Sequence, residues 1–152
     1  MHWMIETLSY REYLDRHASL TYTNVGTSMM PLLRERRDLF TVVPKTTRCH
    51  VGDVVLYHRA PSSWVLHRVV KVLPEGYLTL GDNCVARERV AEDDVIGVMR
   101  SFVRDGREHD VGELGYRAYT RAILVTERPR VFTKRMLGAI RRRLVRWLRH
   151  EG

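Results

Sequence analysis

The sequence is poor in the residues that cross-link small secreted proteins. Cys49 and Cys84 are the only cysteines among 152 residues, and they form no Cys-x-x-Cys pair. We expect two free thiols in a reducing compartment rather than a disulfide. Cys49-His50 offers two adjacent metal ligands, but no second cluster of ligands accompanies them. The sequence therefore predicts no metal site, and nothing in it indicates another cofactor.

Long apolar runs are also missing. No stretch approaches the roughly 20 consecutive apolar residues that span a bilayer. Residues 1–6 lack the basic region and apolar core of a secretory signal. The apolar fraction of 44% and the charged fraction of 29% are typical of a globular protein. These features predict a cytoplasmic protein.

Acidic residues are scarce at one end of the chain. The formal net charge is +8, and residues 127–152 contribute +7 of it, with nine Lys or Arg against two Glu. From Pro129, apolar residues recur every three or four positions between basic ones, which predicts a basic amphipathic helix. Either this helix docks on the domain with its arginines in water, or residues 129–150 bind an anionic membrane surface. Nucleic acid is the least favoured partner, although arginine runs also neutralise phosphates.

Short apolar segments separated by turns predict a mainly β fold of irregular antiparallel strands. Residues 61–63 indicate a hairpin-like connection, and Asp105-Gly106 is a two-residue turn signal. The predicted strands cover residues 20–25, 38–43, 54–57, 64–73, 77–80 and 95–103.

Helices are predicted at both ends of this β region. Residues 5–17 have the spacing of a short amphipathic helix, and residues 116–125 favour a helix over a strand. We expect a β domain with its N-terminal helix at residues 1–112 and a helical, basic extension at residues 113–152.

The segment Gly26-Thr27-Ser28-Met29-Met30-Pro31 predicts a serine presented on a turn. A serine hydroxyl becomes a nucleophile only when a base takes its proton. Gly26 gives the backbone freedom to aim N–H groups at an oxyanion, so Gly26, Thr27 and Met29 are candidate oxyanion or substrate-binding residues. The alternative is an ordinary Ser-Met-Met-Pro turn that caps a helix.

His67 is the candidate base. Because side chains alternate along a strand, His67 shares a face with Val65 and Val69, while Arg68 points to the other side. An imidazole has an ordinary pKa of about 6.5 and accepts a proton near neutral pH. A histidine on an apolar face can equally be a buried core residue, so the strand pattern alone leaves both interpretations open.

The order of these segments resembles the signal-peptidase branch of the LexA/signal-peptidase superfamily. The matching pieces are the Ser28 turn, His67-Arg68-Val69 and Gly81-Asp82-Asn83, with structural matches at residues 51–55 and 95–98. The archaeal and endoplasmic-reticulum type, in which histidine replaces the lysine base, is most similar. Members of the family usually carry a transmembrane anchor, for which this sequence offers no segment.

The resemblance implies a fold and an activity. The fold would be an irregular antiparallel β domain of the LexA/signal-peptidase type. The activity would be that of a serine endopeptidase, with Ser28 as nucleophile and His67 as general base, acting after small residues in a leader or precursor peptide.

The resemblance also implies a carboxylate that orients His67. The family's early aspartate corresponds to Asp82, and its later one falls near Glu88, a glutamate with a longer side chain. Both are candidates, although Asp82 in an Asp-Asn pair is also typical of a turn residue that bonds its own backbone.

Two other functions compete with a signal-peptidase-type enzyme. One is a LexA-like regulatory domain that cuts itself or a partner once, but such proteins normally use a lysine where this chain has His67. The first 20 residues are also too short for a DNA-binding helix-turn-helix. The other is a catalytically inactive peptidase fold that serves as an interaction protein.

Overall fold

The computed structural model describes residues 9–61 and 63–150. The first element is helix α1, Tyr10–His17, which begins at a capping box in which Ser9 and Glu12 satisfy each other's backbone N–H groups. It ends at Ala18, a residue in the left-handed conformation. The predicted helix is confirmed from residue 10 onward, while residues 5–8 lie outside the described residues.

The described residues form a mainly antiparallel β structure, as the sequence predicts. The strands are β1 (Leu20–Thr23), β2 (Leu39–Pro44), β3 (Val54–Arg59), β4 (Ser63–Leu73), β5 (Gly76–Leu80), β6 (Glu88–Ala91), β7 (Val95–Arg104) and β8 (Arg107–Asp110). Neighbours in the sheet follow the order β1-β2-β7-β3-β4-β5-β6, and β8 pairs with β7. A 3₁₀ turn at Glu92–Asp94 precedes β7.

Strands β6 and β8 are not among the predicted strands. Their sequences, Glu-Arg-Val-Ala and Arg-Glu-His-Asp, contain little of the apolar alternation that identifies a strand. Strand β8 forms because Asp105 and Gly106 adopt positive φ angles of 51° and 77°, which close a tight hairpin onto β7. The Asp105-Gly106 turn prediction is therefore confirmed.

The β3–β4 hairpin sets the position of His67. Residues equidistant from Pro61 pair across it, so Val55 lies opposite His67 and Tyr57 lies opposite Val65. Side chains two residues apart on neighbouring strands share a face, which brings Tyr57 diagonally next to His67. Val65 and Val69 pack against one apolar cluster, as the alternation along β4 predicts.

Arg68 lies on the opposite side of β4 and binds the first of two C-terminal helices. This helix, α2, spans Leu114–Val125 and confirms the predicted helix. Its hydroxyl groups at Tyr116 and Thr120 accept hydrogen bonds from Arg68. The expected boundary at residue 112 falls in the turn between β8 and α2, and the two-part division stays a prediction.

The last helix, α3, spans Glu127–His150 and begins two residues before the predicted start at Pro129. Its first turns lie against the segment 82–87, while residues 140–149 are exposed on every side. None of the helices in the described residues combines the length and apolarity needed to cross a bilayer. Seven exposed apolar residues of α3 lie on one side of the helix and are called the apolar stripe below: Phe132, Met136, Leu137, Ile140, Leu144, Trp147 and Leu148.

Candidate functional site

Ser28, His67 and Glu88 line one cleft of about 740 Å³. The end of β1 forms one wall, β4 forms the floor, and residues 83–86 form the opposite wall. Much of the lining is apolar or aromatic, including Tyr10, Tyr22, Phe40, Leu56, Trp64, Leu66 and Val85. The cleft therefore combines a hydroxyl, an imidazole and a carboxylate with a surface suited to an apolar ligand.

The turn that carries Ser28 is held by the segment that follows β5. The backbone N–H of Asn83 donates to the carbonyl of Ser28 at 2.8 Å, and the Asn83 side chain donates to the carbonyl of Thr27 at 3.1 Å. Among the hydrogen bonds of the described residues, none involves the Ser28 hydroxyl or the Ser28 N–H. Both groups are thus available to a ligand in the cleft.

Gly81 is the point at which the serine turn and His67 meet. A Cβ at this position would lie 2.7 Å from the carbonyl oxygen of Ser28 and 3.0 Å from Nε2 of His67. Any side chain here would push the turn and the imidazole apart. The glycine thus allows Nε2 of His67 to approach the Ser28 turn closely.

Hydrogen bonds determine which nitrogen of His67 carries the proton. The hydroxyl of Tyr57 donates its single proton to Glu88 at 2.8 Å and accepts one from Thr79 at 3.3 Å. Toward Nδ1 of His67, 3.2 Å away, Tyr57 can present only a lone pair. Nδ1 must therefore be the protonated nitrogen, and Nε2 keeps its lone pair on the side of Ser28.

Burial is the main influence on the pKa of His67. The side chain is 5% exposed, and the loss of hydration lowers its pKa below the usual value near 6.5. The charge of Glu88 opposes this effect, whereas Arg59 adds to it. His67 is consequently neutral at pH 7, which is the state that a general base requires.

The two candidate carboxylates have different surroundings. Glu88 contacts the His67 network through Tyr57 and forms an ion pair with Arg59, which is 45% exposed. Asp82 instead accepts two hydrogen bonds from Arg68, at 2.8 and 2.7 Å, and one from Tyr119 at 2.8 Å. Its carboxylate is thus occupied on the far side of β4, and only Glu88 joins the hydrogen-bonded chain that ends at Nδ1 of His67.

The three candidate oxyanion or substrate residues occupy different environments. Gly26 has a φ of +88°, with open space where a side chain would lie. Thr27 is exposed, and its carbonyl accepts from Met30 and Asn83. Met29 is fully buried in the core beside Leu33 and is not among the residues that line the cleft.

A second candidate nucleophile, the thiol of Cys84, lies in the same cleft. The thiol of Cys84 is 4.0 Å from the carbonyl of Ser28. Burial raises the pKa of this thiol, so it remains protonated and a poor nucleophile at neutral pH. Cys49 is a separate, buried thiol, and no metal-binding group of three His, Cys, Asp or Glu occurs in the part of the chain that the structure describes.

Two residues that organise the site were not identified from the sequence: Tyr57 and Asn83. The signal for Tyr57 was available, because a hairpin centred on Pro61 pairs Val55 with His67 and places Tyr57 on the same face. Asn83 belongs to the Gly81-Asp82-Asn83 segment, but its role depends on long-range contacts with the serine turn.

Comparison with known protein families and with curated proteins gave no match to this chain.

Proposed function

We propose that the protein is a serine endopeptidase of the signal-peptidase type, with a β domain of the LexA/signal-peptidase kind. The observation that carries the proposal is the convergence of the Ser28 turn and Nε2 of His67 at Gly81. A nucleophile and a base that is itself held by a third group form the arrangement used for acyl transfer.

In the proposed reaction, Nε2 of His67 takes the proton of the Ser28 hydroxyl as its oxygen attacks a peptide carbonyl carbon. The oxyanion that forms receives a hydrogen bond from the Ser28 N–H, which is unused in the free protein. His67 then gives its proton to the leaving amine, and the C–N bond breaks. Water, deprotonated by His67, releases the acyl group and restores the serine.

Tyr57 and Glu88 assist this cycle without contacting the substrate. When His67 becomes an imidazolium, its Nδ1–H still donates to Tyr57, whose proton is held by the Glu88 carboxylate. This chain keeps the imidazole in the productive orientation and stabilises its positive charge. Glu88 acts through Tyr57, because no direct hydrogen bond joins it to His67 among the described residues.

The substrate is proposed to bind as an extended strand. Strand β1 pairs only with β2 within the described sheet, so its outer edge is free beside the cleft. A peptide can add to such an edge through main-chain hydrogen bonds. The resemblance adds a preference for small residues at the first and third positions before the cut, in a leader or precursor peptide.

The test is to incubate the purified protein with a diverse peptide mixture and map the cuts by mass spectrometry. We expect cuts after small residues that disappear in Ser28→Ala and in His67→Ala. Ser63→Ala and His58→Ala are matched controls, because both residues lie on the same hairpin but do not line the cleft. The controls should retain the wild-type cuts.

Two results would overturn the proposal. One is the same cutting pattern in Ser28→Ala, which would identify a contaminating protease. The other is the absence of any cut by the wild-type protein with detergent and vesicles present, which would favour the inactive interaction protein. Cutting confined to the protein's own chain would favour the LexA-like regulatory alternative.

A further inference from the structure

The apolar stripe of α3 has no partner in the described protein. Phe132 is 66% exposed, Leu137 61% and Trp147 57%. The half-buried positions at 127, 131, 134 and 138 lie on the other side of the helix, toward the domain. A continuous apolar surface of this kind marks an interaction site rather than a solvated face.

From residue 130 onward, the Lys and Arg residues of α3 fall into two groups. Arg130, Lys134 and Arg135 donate to the backbone carbonyls of residues 82, 83 and 85, so these three side chains attach α3 to the β domain. The five arginines between residues 141 and 149 are exposed, and no acidic residue occurs among them. The free part of the helix therefore presents an apolar stripe flanked only by positive charge.

We propose that α3 lies flat on an anionic phospholipid surface. A helix of 24 residues is about 36 Å long, and on a bilayer its stripe would enter the boundary between headgroups and acyl chains. The arginines on both flanks would reach the lipid phosphates. Trp147 and Phe132 suit this depth, because their rings favour the interface.

The charges beside the apolar stripe favour a lipid surface over a second copy of the chain as its partner. If two α3 helices packed stripe to stripe around Leu137, Ile140, Leu144 and Trp147, Arg141 and Arg143 would flank the seam in each copy. Arginines would then face arginines with no acidic partner. A nucleic acid would satisfy the arginines but leave the apolar stripe in water.

The position of α3 relates the lipid surface to the cleft. Val85 lines the Ser28 cleft and also a second pocket that Phe132 and Arg135 border. The start of the apolar stripe is thus one residue away from the cleft wall. If the proposed peptidase activity holds, its substrates would be peptides located at the bilayer surface; the lipid binding itself does not rest on that activity.

The test is flotation of the full chain with vesicles of phosphatidylcholine alone or mixed with phosphatidylglycerol. We expect binding to the anionic vesicles to be about tenfold tighter or more, and to weaken as salt is raised. The double variant Leu137→Glu/Leu144→Glu should lose at least about tenfold in affinity. The matched control is Leu114→Glu/Val125→Glu, which makes the same charge change at apolar residues that are each 81% exposed on α2.

Circular dichroism of both double variants checks that helix content is kept. Equal losses in the two variants would overturn the proposal, because net charge alone would then explain the binding. Tight binding to duplex DNA without vesicle binding would identify a nucleic-acid surface instead. A concentration-dependent dimer in sedimentation, abolished by the α3 variant and without vesicle binding, would identify a second copy as the occupant. Peptide cutting is not part of this readout, so the result is independent of the proposed function.

Discussion

His67 and Arg68 are neighbours on β4, yet they belong to two networks of opposite character. His67 contacts Tyr57, which leads to Glu88 and then to Arg59, a residue that is 45% exposed. Arg68 is completely buried and pairs with Asp82, whose side chain is 1% exposed. Two carboxylates that the family resemblance makes equivalent candidates thus have separate tasks.

The difference lies in where each carboxylate has its countercharge. The Arg68–Asp82 pair has no access to water, so each ion depends on the other and on the groups around it, including the carbonyl of Gly52. The Glu88–Arg59 pair can exchange its contacts with solvent. The buried Arg68–Asp82 pair therefore stabilises the fold, whereas the exposed Glu88–Arg59 pair can rearrange when His67 gains a proton.

Removing the carboxylate from each network should produce the largest difference in stability between the two. Asp82→Ala leaves Arg68 buried without a countercharge and should lower the free energy of unfolding by about 3–5 kcal/mol. Glu88→Ala leaves Arg59 free to turn into water, so its loss should stay below about 1 kcal/mol. Urea denaturation of both variants measures the difference, and equal losses would contradict the division into a buried and an exposed network.

Gly81→Ala should damage the point where the serine turn and His67 meet. The added Cβ would overlap the Ser28 carbonyl and Nε2 of His67, and a displacement of about 1 Å in a catalytic group can cost about 100-fold in rate. We expect a loss of that order in kcat/KM for peptide cleavage. Gly115→Ala is the control for an added methyl group, because open space surrounds that glycine on α2. Equal activity losses in both variants would show that Gly81 has no special role in bringing His67 to the serine turn.

Tyr57→Phe should distinguish the role of Tyr57 in orienting His67 from its contribution to the stability of the fold. The variant removes the acceptor that holds Nδ1–H of His67, so kcat should fall by about tenfold with little change in KM. Tyr77→Phe is the matched control, since Tyr77 is also fully buried and accepts a hydrogen bond from the Cys49 N–H. Both variants should lose about 1 kcal/mol of stability. A kcat decrease shared by both would mean that Tyr57 has only a structural role.

Glu88→Gln should have the smallest effect, a shift in the pH profile. The Glu88 charge raises the pKa of His67 and Arg59 lowers it, so removing the carboxylate should move the acidic limb of kcat/KM to lower pH. Arg59→Gln should move the same limb to higher pH. Shifts in the same direction would show that His67 does not control this limb.

The sequence was sufficient for the elements with a strong pattern. Alternation along β4 predicted the face of His67, and the three-and-four spacing after Pro129 predicted α3 within two residues. Strands β6 and β8 were not predicted, because a strand at a sheet edge can be charged on both faces. Pairing with the neighbouring strand alone then determines that it forms.

Contacts between distant segments could not be read from the sequence. Asp82 follows a strand and precedes Asn83, a pattern equally suited to a turn, an ion pair or a catalytic role. The choice depends on Arg68, 14 positions earlier, and on Tyr119, 37 positions later. The contact with Arg68 depends on the pairing of β4 with β5, and the contact with Tyr119 depends on the packing of α2 on the sheet.

The adjacency of His67 and Arg68 limits how this protein can evolve. Loss or gain of a single codon between residues 63 and 66 would exchange the two side chains, sending the guanidinium toward Tyr57 and the imidazole toward Asp82. One such event would remove the proposed base and the buried countercharge together. We therefore expect length variation among descendants of this gene to spare that short stretch.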